Sequence, residues 1–380
     1  MIRDPARLER LLADTRRFVR ERAIPNEDRV EQEDRIPDDL VTDMRRLGTY
    51  GWSIPEQYGG AGLTTEELAL AFMELSQASV AFRVHGATNA GIGSEAIIQD
   101  GTEEQKRRWL PRLASGEVLG CLALTEPEAG SDATSLQATA VRDGDHYILN
   151  GTKRYITLAP MADLFQVFAR SDPANKGAGG VSAFLVERGT PGLATSGSTP
   201  KMGQEGAPIG EVHLKDCRVP AAAVIGGEPG RGFKTVMKVL NKQRINLAAL
   251  CTGPAIRMLD EAVGYARERR QFGKPIGEFQ LVQAMLAESR IEIEAARALI
   301  LETARKRDRG EDVTMDVSMC KYYATEMCGR VADRVVQVFG GQGYVKGRGI
   351  ERFYRDVRAF RIYEGTSQIH LLNIAKHLLR

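Results

Sequence analysis

The sequence predicts an α+β fold in three consecutive parts: an N-terminal helical domain, a middle antiparallel β-domain and a C-terminal helical bundle. Two changes of texture carry this reading. Apolar residues recur at helical spacing up to residue 116, give way over 117–229 to short runs broken by Gly, Asp, Asn and Pro, and resume helical periodicity over 230–380. A chain of 380 residues, 43% hydrophobic and 27% charged, is long enough to bury a large core shared among two or three domains.

In the first part Leu8, Leu11, Leu12, Thr15, Phe18 and Val19 form one helical face, and Leu68, Ala71, Phe72 and Leu75 another. Pro25, Pro37, Pro55 and "YGGAG" (58–62) punctuate them. In the second part "GCLALT", "HYILNGTKRYIT", "LFQVFAR" and "VSAFLVE" read as strands, with hairpin-like breaks at "RDGDH" and "LNGTK". No helical stretch separates them, so an antiparallel β-domain fits better than alternating βα units. In the third part "LNKQRINLAAL" opens a helix with Arg244 in an early turn. "AIRMLDEAVGYARERRQFG" and "QLVQAMLAESRIEIEAARALILETARKRDRG" are long amphipathic helices, the second with a basic end and a glycine stop.

Composition narrows the function. Fifty-two basic against 50 acidic residues give a net charge of +2, which argues against nucleic acid or an anionic membrane surface as partner. No apolar run approaches a membrane span, and the acid-containing N-terminus resembles neither a signal nor a transit peptide. The five cysteines are odd in number and scattered, and with five scattered histidines they suggest neither a disulfide framework nor a metal site. A reduced, cytoplasmic protein is expected.

Several stretches carry candidate chemistry. In "ALTEPEAGSDATS" (123–135), Thr125, Ser131 and the amides near Gly130 suit a phosphate, or else form an ordinary turn with a capping serine. "GGQGYVKG" (340–347) has the wrong spacing for a dinucleotide fingerprint and follows a helix, so it reads as a helix cap. In "ERRQFGKPIGEFQ" (268–280), Arg269 and Phe272 suit a phosphate and an adenine, or else a solvated helix end with a buried Phe. Arg83 lies among small and apolar neighbours, where an unpaired charge costs several kcal/mol. It is therefore either ion-paired or set to meet an anionic ligand. Glu364, in "RIYEGTSQIH", stands before a helix that Thr366 or Ser367 can cap and that buries Ile369, Leu372 and Ala375 or their neighbours. The helix dipole favours the ionised form there, as a base requires.

Taken in order, "LTEPEAGSD", "NGTKRYIT", "ERRQFGKPIGEFQ", "QVFGGQGY" and "IYEGTSQI" resemble the acyl-CoA dehydrogenase family over essentially the whole chain. The resemblance implies FAD as cofactor, an acyl-CoA substrate, an electron-transfer flavoprotein as electron acceptor, and a homotetramer. By matched position, Leu122, Leu124, Thr125 and Ser131 would line the flavin and its phosphates, and Tyr155 and Thr157 its ring. Arg269, Phe272, Gln280, Gln337 and Gly341 would contact FAD across a subunit interface, and Thr366 and Gln368 would complete the site. Ser131, Asn241, Arg244 and Gly365 would touch the acyl-CoA, and Glu364 would be the base.

The sequence departs from the family pattern at Glu128, Leu122 and Tyr155. Asn241 stands where an aspartate is frequent. Some members carry the base just before the substrate arginine; that position is Gln243 here, which cannot ionise. Arg83 matches the arginine that binds the distal carboxylate in glutaryl-CoA dehydrogenases, so an acidic acyl tail is the alternative substrate, although Ser76 replaces the acid found seven residues earlier. A non-catalytic flavin-fold scaffold and a direct oxidase are the remaining readings.

Overall fold

The computed structural model describes residues 1–379. Helix α1 (Pro5–Phe18) starts at Asp4, whose side chain accepts the Arg7 amide, with Pro5 in the first turn. Helix α2 (Thr65–Leu75) starts from a reciprocal capping box between Thr64 and Glu67. Helix α3 (Val80–Asn89) is buried at all ten positions, Arg83 included.

The middle sheet contains β1 (Gly120–Ala123), β2 (Thr139–Asp143), β3 (His146–Thr157), β4 (Leu164–Arg170), β5 (Val181–Glu187), β6 (Leu193–Thr195) and β7 (Ile209–Pro220). Its order is β1-β4-β2-β3-β7-β6, with β5 also paired to β4. Most pairings are antiparallel as expected, but β1 and β2 both run parallel to β4. "RDGDH" is the β2–β3 hairpin. "LNGTK" is not a turn: β3 continues through it with a register shift between Leu149 and Gly151. A Cβ on Gly151 would meet Ala138 at 2.7 Å, so the strand bulges where glycine alone fits.

Helix α4 (Gly232–Glu268) takes in both stretches that read separately in the sequence. Arg244 therefore lies well inside a 37-residue helix, not in an early turn, and is buried. Alongside it run α5 (Gln280–Asp308) and α6 (Thr314–Phe339), followed by α7 (Ile350–Val357) and α8 (Ser367–Leu378). Gly340 ends α6 with φ 59°, the cap expected of that glycine pair. One hydrophobic core joins α1–α3 to α4–α7, whereas the β-sheet has a core of its own.

Helix α8 corrects the sequence reading. Its buried residues are Ser367 and His370, while Leu371, Leu372 and Leu378 are exposed. The helix docks on α6 through polar contacts, such as Ser367 Oγ to Glu326 Oε1 at 2.6 Å, and turns its leucines outward. Among the described residues no helix is long and apolar enough to cross a membrane.

Candidate active site

The turn between α7 and α8 brings Glu364 to the seam of α3, α4 and α6. Glu364 has φ 55° and the following Gly365 φ 93°, a left-handed pair that costs a non-glycine residue free energy and persists only when its surroundings enforce it. Three contacts enforce it. The Arg83 Nη2 donates to the Tyr363 hydroxyl, Lys321 Nζ donates to the Gly365 carbonyl at 2.6 Å, and His370 Nε2 lies 3.2 Å from the Glu364 carbonyl. A Cβ on Gly365 would meet that imidazole at 3.0 Å. Thr366 caps α8 by accepting the Ile369 amide at 3.3 Å.

The electrostatics are lopsided. Burial raises the Glu364 pKa above the ordinary carboxylate range, and Arg83, Lys321 and Arg244 oppose that rise. The helix dipole expected to favour the ionised form is thus outweighed by desolvation, and the three cations supply the counteracting charge. Burial holds His370 neutral, at about 3, with Arg244 and Lys321 acting in the same direction. Nε2 is then the protonated nitrogen that donates to the Glu364 carbonyl. The cluster carries three cations against one acid.

It is also short of partners. Arg83 is 7% exposed and Arg244 6%, and among the described residues neither is ion-paired. Arg83 lies over the Phe360 ring at 5.1 Å, and Arg244 donates to Asn241 Oδ1 at 3.1 Å. Glu364 Oε2, Arg83 Nε, Arg244 Nε, Gln243 Nε2, Asn246 Oδ1 and His370 Nδ1 are sealed from solvent without a hydrogen-bond partner. Buried polar atoms are normally satisfied, so the orphans on Glu364 and on its neighbours Arg83, Arg244 and His370 are positions where a ligand could supply the partners.

The other residues expected at the site fall into two groups. Leu122 and Leu124 end β1 and its extension, and Thr125 opens the loop held by the Glu126–Ala129 turn. Within that loop Ser131 is exposed, and Asp132, not Ser131, accepts the Thr134 and Ser135 hydroxyls. Tyr155 and Thr157 lie at the end of β3, Tyr155 56% exposed with φ 57°. The second group sits elsewhere: Arg269 and Phe272 between α4 and α5, Gln280 at the start of α5, Gln337 and Gly341 around the end of α6, and Gln368 on α8. All six are exposed, Phe272 at 93% with φ 50°, so the buried phenylalanine allowed by the sequence is not what forms. The two groups together offer hydroxyls, amides, a guanidinium and two bare aromatic rings. That donor set fits a flavin nucleotide, with rings for its planar parts and hydroxyls and Arg269 for its phosphates.

Models of the acyl-CoA dehydrogenase N-terminal, middle and C-terminal domains match residues 6–117, 121–217 and 230–379 in turn. The chain belongs to the acyl-CoA dehydrogenase family. It is an oxidoreductase with FAD as its cofactor. It is 40% identical to an acyl-CoA dehydrogenase of Bacillus subtilis, over 96% of each chain. Butyryl-CoA dehydrogenase from Megasphaera elsdenii superposes with a TM-score of 0.95 at 34% identity, covering 100% of both chains. A glutaryl-coenzyme A dehydrogenase in complex with glutaryl-CoA does so at 0.94 and 36%, covering 100% of this chain and 96% of that one.

Sequence reasoning missed Lys321, His370 and Tyr363. Lys321 was visible only as a charge on the apolar face Val317, Cys320, Ala324, Cys328. It also missed Gln204 (φ 63°), whose amide donates to Asp356 Oδ1 and whose side chain donates to the Asp356 carbonyl at 2.8 Å, tying the β-domain to α7.

Proposed function

We propose that Glu364 removes the α-proton of an acyl-CoA thioester as the β-hydride leaves, giving the trans-2-enoyl-CoA, with the electrons passing on to an electron-transfer flavoprotein. The observation that carries this is Glu364 itself: the one acid in a cluster of three cations, its Oε2 unpartnered and sealed from water. Bound FAD supplies the hydride acceptor. The side chains named from Leu122 to Gln368 would hold it, and the exposed position of Arg269, Phe272 and Gln280 suits contact with a neighbouring subunit.

The chain's own groups do the rest. Among the described residues the Glu364 amide has no intramolecular acceptor, so it is free to donate to the thioester oxygen as negative charge develops there. Arg83, Arg244 and Lys321 favour that charge. Substrate lying against Glu364 would keep its carboxyl out of water and so hold the raised pKa that makes it a stronger base. Ser131, Asn241, Arg244 and Gly365 would hold the acyl-CoA.

A homotetramer is supported by the exposed apolar side chains of the C-terminal part, among them Phe272, Leu281, Leu372 and Leu378. Residues 1–116, 117–229 and 230–380 would be its domains, and the cytoplasm its compartment.

One observation favours an acidic acyl tail. Arg83 is a buried cation whose hydrogen bond goes to a neutral phenol. Ser76 takes no part in compensating it, because its hydroxyl donates to the Phe72 carbonyl at 2.6 Å. A carboxylate at the tail's end would satisfy Arg83 Nε and halve the excess charge. Anaerobic mixing of the flavin-loaded protein with short, medium, long and branched acyl-CoAs, succinyl-CoA and glutaryl-CoA decides. Bleaching by a neutral acyl-CoA supports the first reading, bleaching by a diacid thioester alone supports the second, and no bleaching contradicts both.

A further inference from the structure

We infer that Lys321 is a positioning residue for the base: its ammonium pins the Gly365 carbonyl and so fixes the turn from which Glu364 reaches its ligand. This rests on Glu364 being the base. Lys321 is wholly buried on the apolar face of α6, where any aliphatic side chain of similar length would fill the space at less cost in desolvation. Its bonded partner is a neutral carbonyl, 2.6 Å away, belonging to the residue that follows Glu364.

The groups facing Lys321 come from every element packed around it: Cys251 and Arg244 on α4, Glu326 on α6, Glu364 in the turn and His370 on α8. Of the two acids, Glu326 is already engaged by the Ser367 hydroxyl and, at 3.6 Å, by Arg361. The charge of Lys321 therefore falls chiefly to Glu364. Arg83 fixes Tyr363 on one flank of the base and Lys321 fixes Gly365 on the other. Removing one flank releases a left-handed residue that relaxes readily. A shift of about 1 Å in a reacting group costs about 100-fold in rate.

The sign of the pH effect follows from the charge. Lys321 holds the Glu364 pKa down, so its loss raises that pKa, and the ionised base then appears only at higher pH. The test is the pH profile of anaerobic flavin reduction in flavin-loaded Lys321→Met and Lys321→Gln, with the acyl-CoA that bleaches wild type fastest. The expected result is a maximal rate lower by about 10–100-fold and a profile moved up by about one pH unit. Lys321→Arg, which keeps the charge, should stay near the wild-type profile. Profiles of the neutral variants that superimpose on wild type would overturn the inference. So would failure of both to hold flavin, because Lys321 would then serve the fold. Glu364→Gln separates the levels: if it still reduces flavin, the base assignment itself fails, whereas if it is inert and Lys321→Met is unshifted, only the role of Lys321 falls.

Discussion

Lys153 in the β-domain and Arg83 in helix α3 are both cations withdrawn from water, yet their surroundings differ in kind. Lys153 Nζ donates to Glu126 Oε1 at 2.7 Å and to the Leu124 carbonyl at 3.1 Å. Glu126 accepts in addition the amides of Gln137 at 2.5 Å and Ala138 at 2.9 Å. Every strong donor and acceptor there is spent inside the protein. Burial still pulls the Lys153 pKa down to about 8, against the pull of Glu126, so the pair is a costly way to hold a loop in place. Around Arg83 the opposite holds: Arg83, Arg244 and Glu364 each keep an orphaned buried atom, and positive charge is left over. A satisfied buried charge closes a structure, and an unsatisfied one waits for a ligand.

The comparison can be broken from either side. Lys153→Met leaves Glu126 buried without its counter-charge, and breaking such a pair costs about 3–5 kcal/mol. Thermal unfolding should show that loss, while the rate of flavin reduction per bound flavin stays close to wild type. If stability were unchanged, the β-domain pair would not be the structural tie described. Arg83→Met should behave in reverse. Stability should change little, because the unpaired buried charge is removed together with its hydrogen bond to Tyr363. Affinity for glutaryl-CoA should fall by at least about 30-fold if an acidic tail pairs with the guanidinium. For a neutral acyl-CoA the expected change in KM is the smallest of these effects. A clear loss of stability in Arg83→Met would place Arg83 with Lys153, as a structural cation.

Much of this contrast was legible in the sequence, though unevenly. The three-part order of helices, strands and helices follows from periodicity, which depends only on local burial. Arg83 was conspicuous as a guanidinium among alanines and valines, whereas Glu364 is only one more acid at a helix start until the family resemblance proposes it as the base. What was not legible depends on packing across the chain. The left-handed turn at Glu364 is enforced by Lys321 and His370, each remote from it or on a separate element. The leucines of α8 read as core because their spacing is helical, and only the docking of the helix through Ser367 and His370 turns them outward. The run "LNGTK" reads as a turn because Asn-Gly commonly makes one, yet β7 pairs along both halves and the strand carries through. Arg244 read as lying in an early turn because the start of α4, at Gly232, is not signalled by any capping side chain.

The most direct test of the account is anaerobic flavin reduction in Glu364→Gln, with FAD bound and with the acyl-CoA that bleaches wild type fastest. The substitution keeps the side-chain shape and removes only the ionisable proton acceptor. Loss of reduction by about 10²–10⁴-fold, with FAD and substrate still bound, is the expected result. Bleaching at the wild-type rate would contradict the account, because Glu364 would then not be the base.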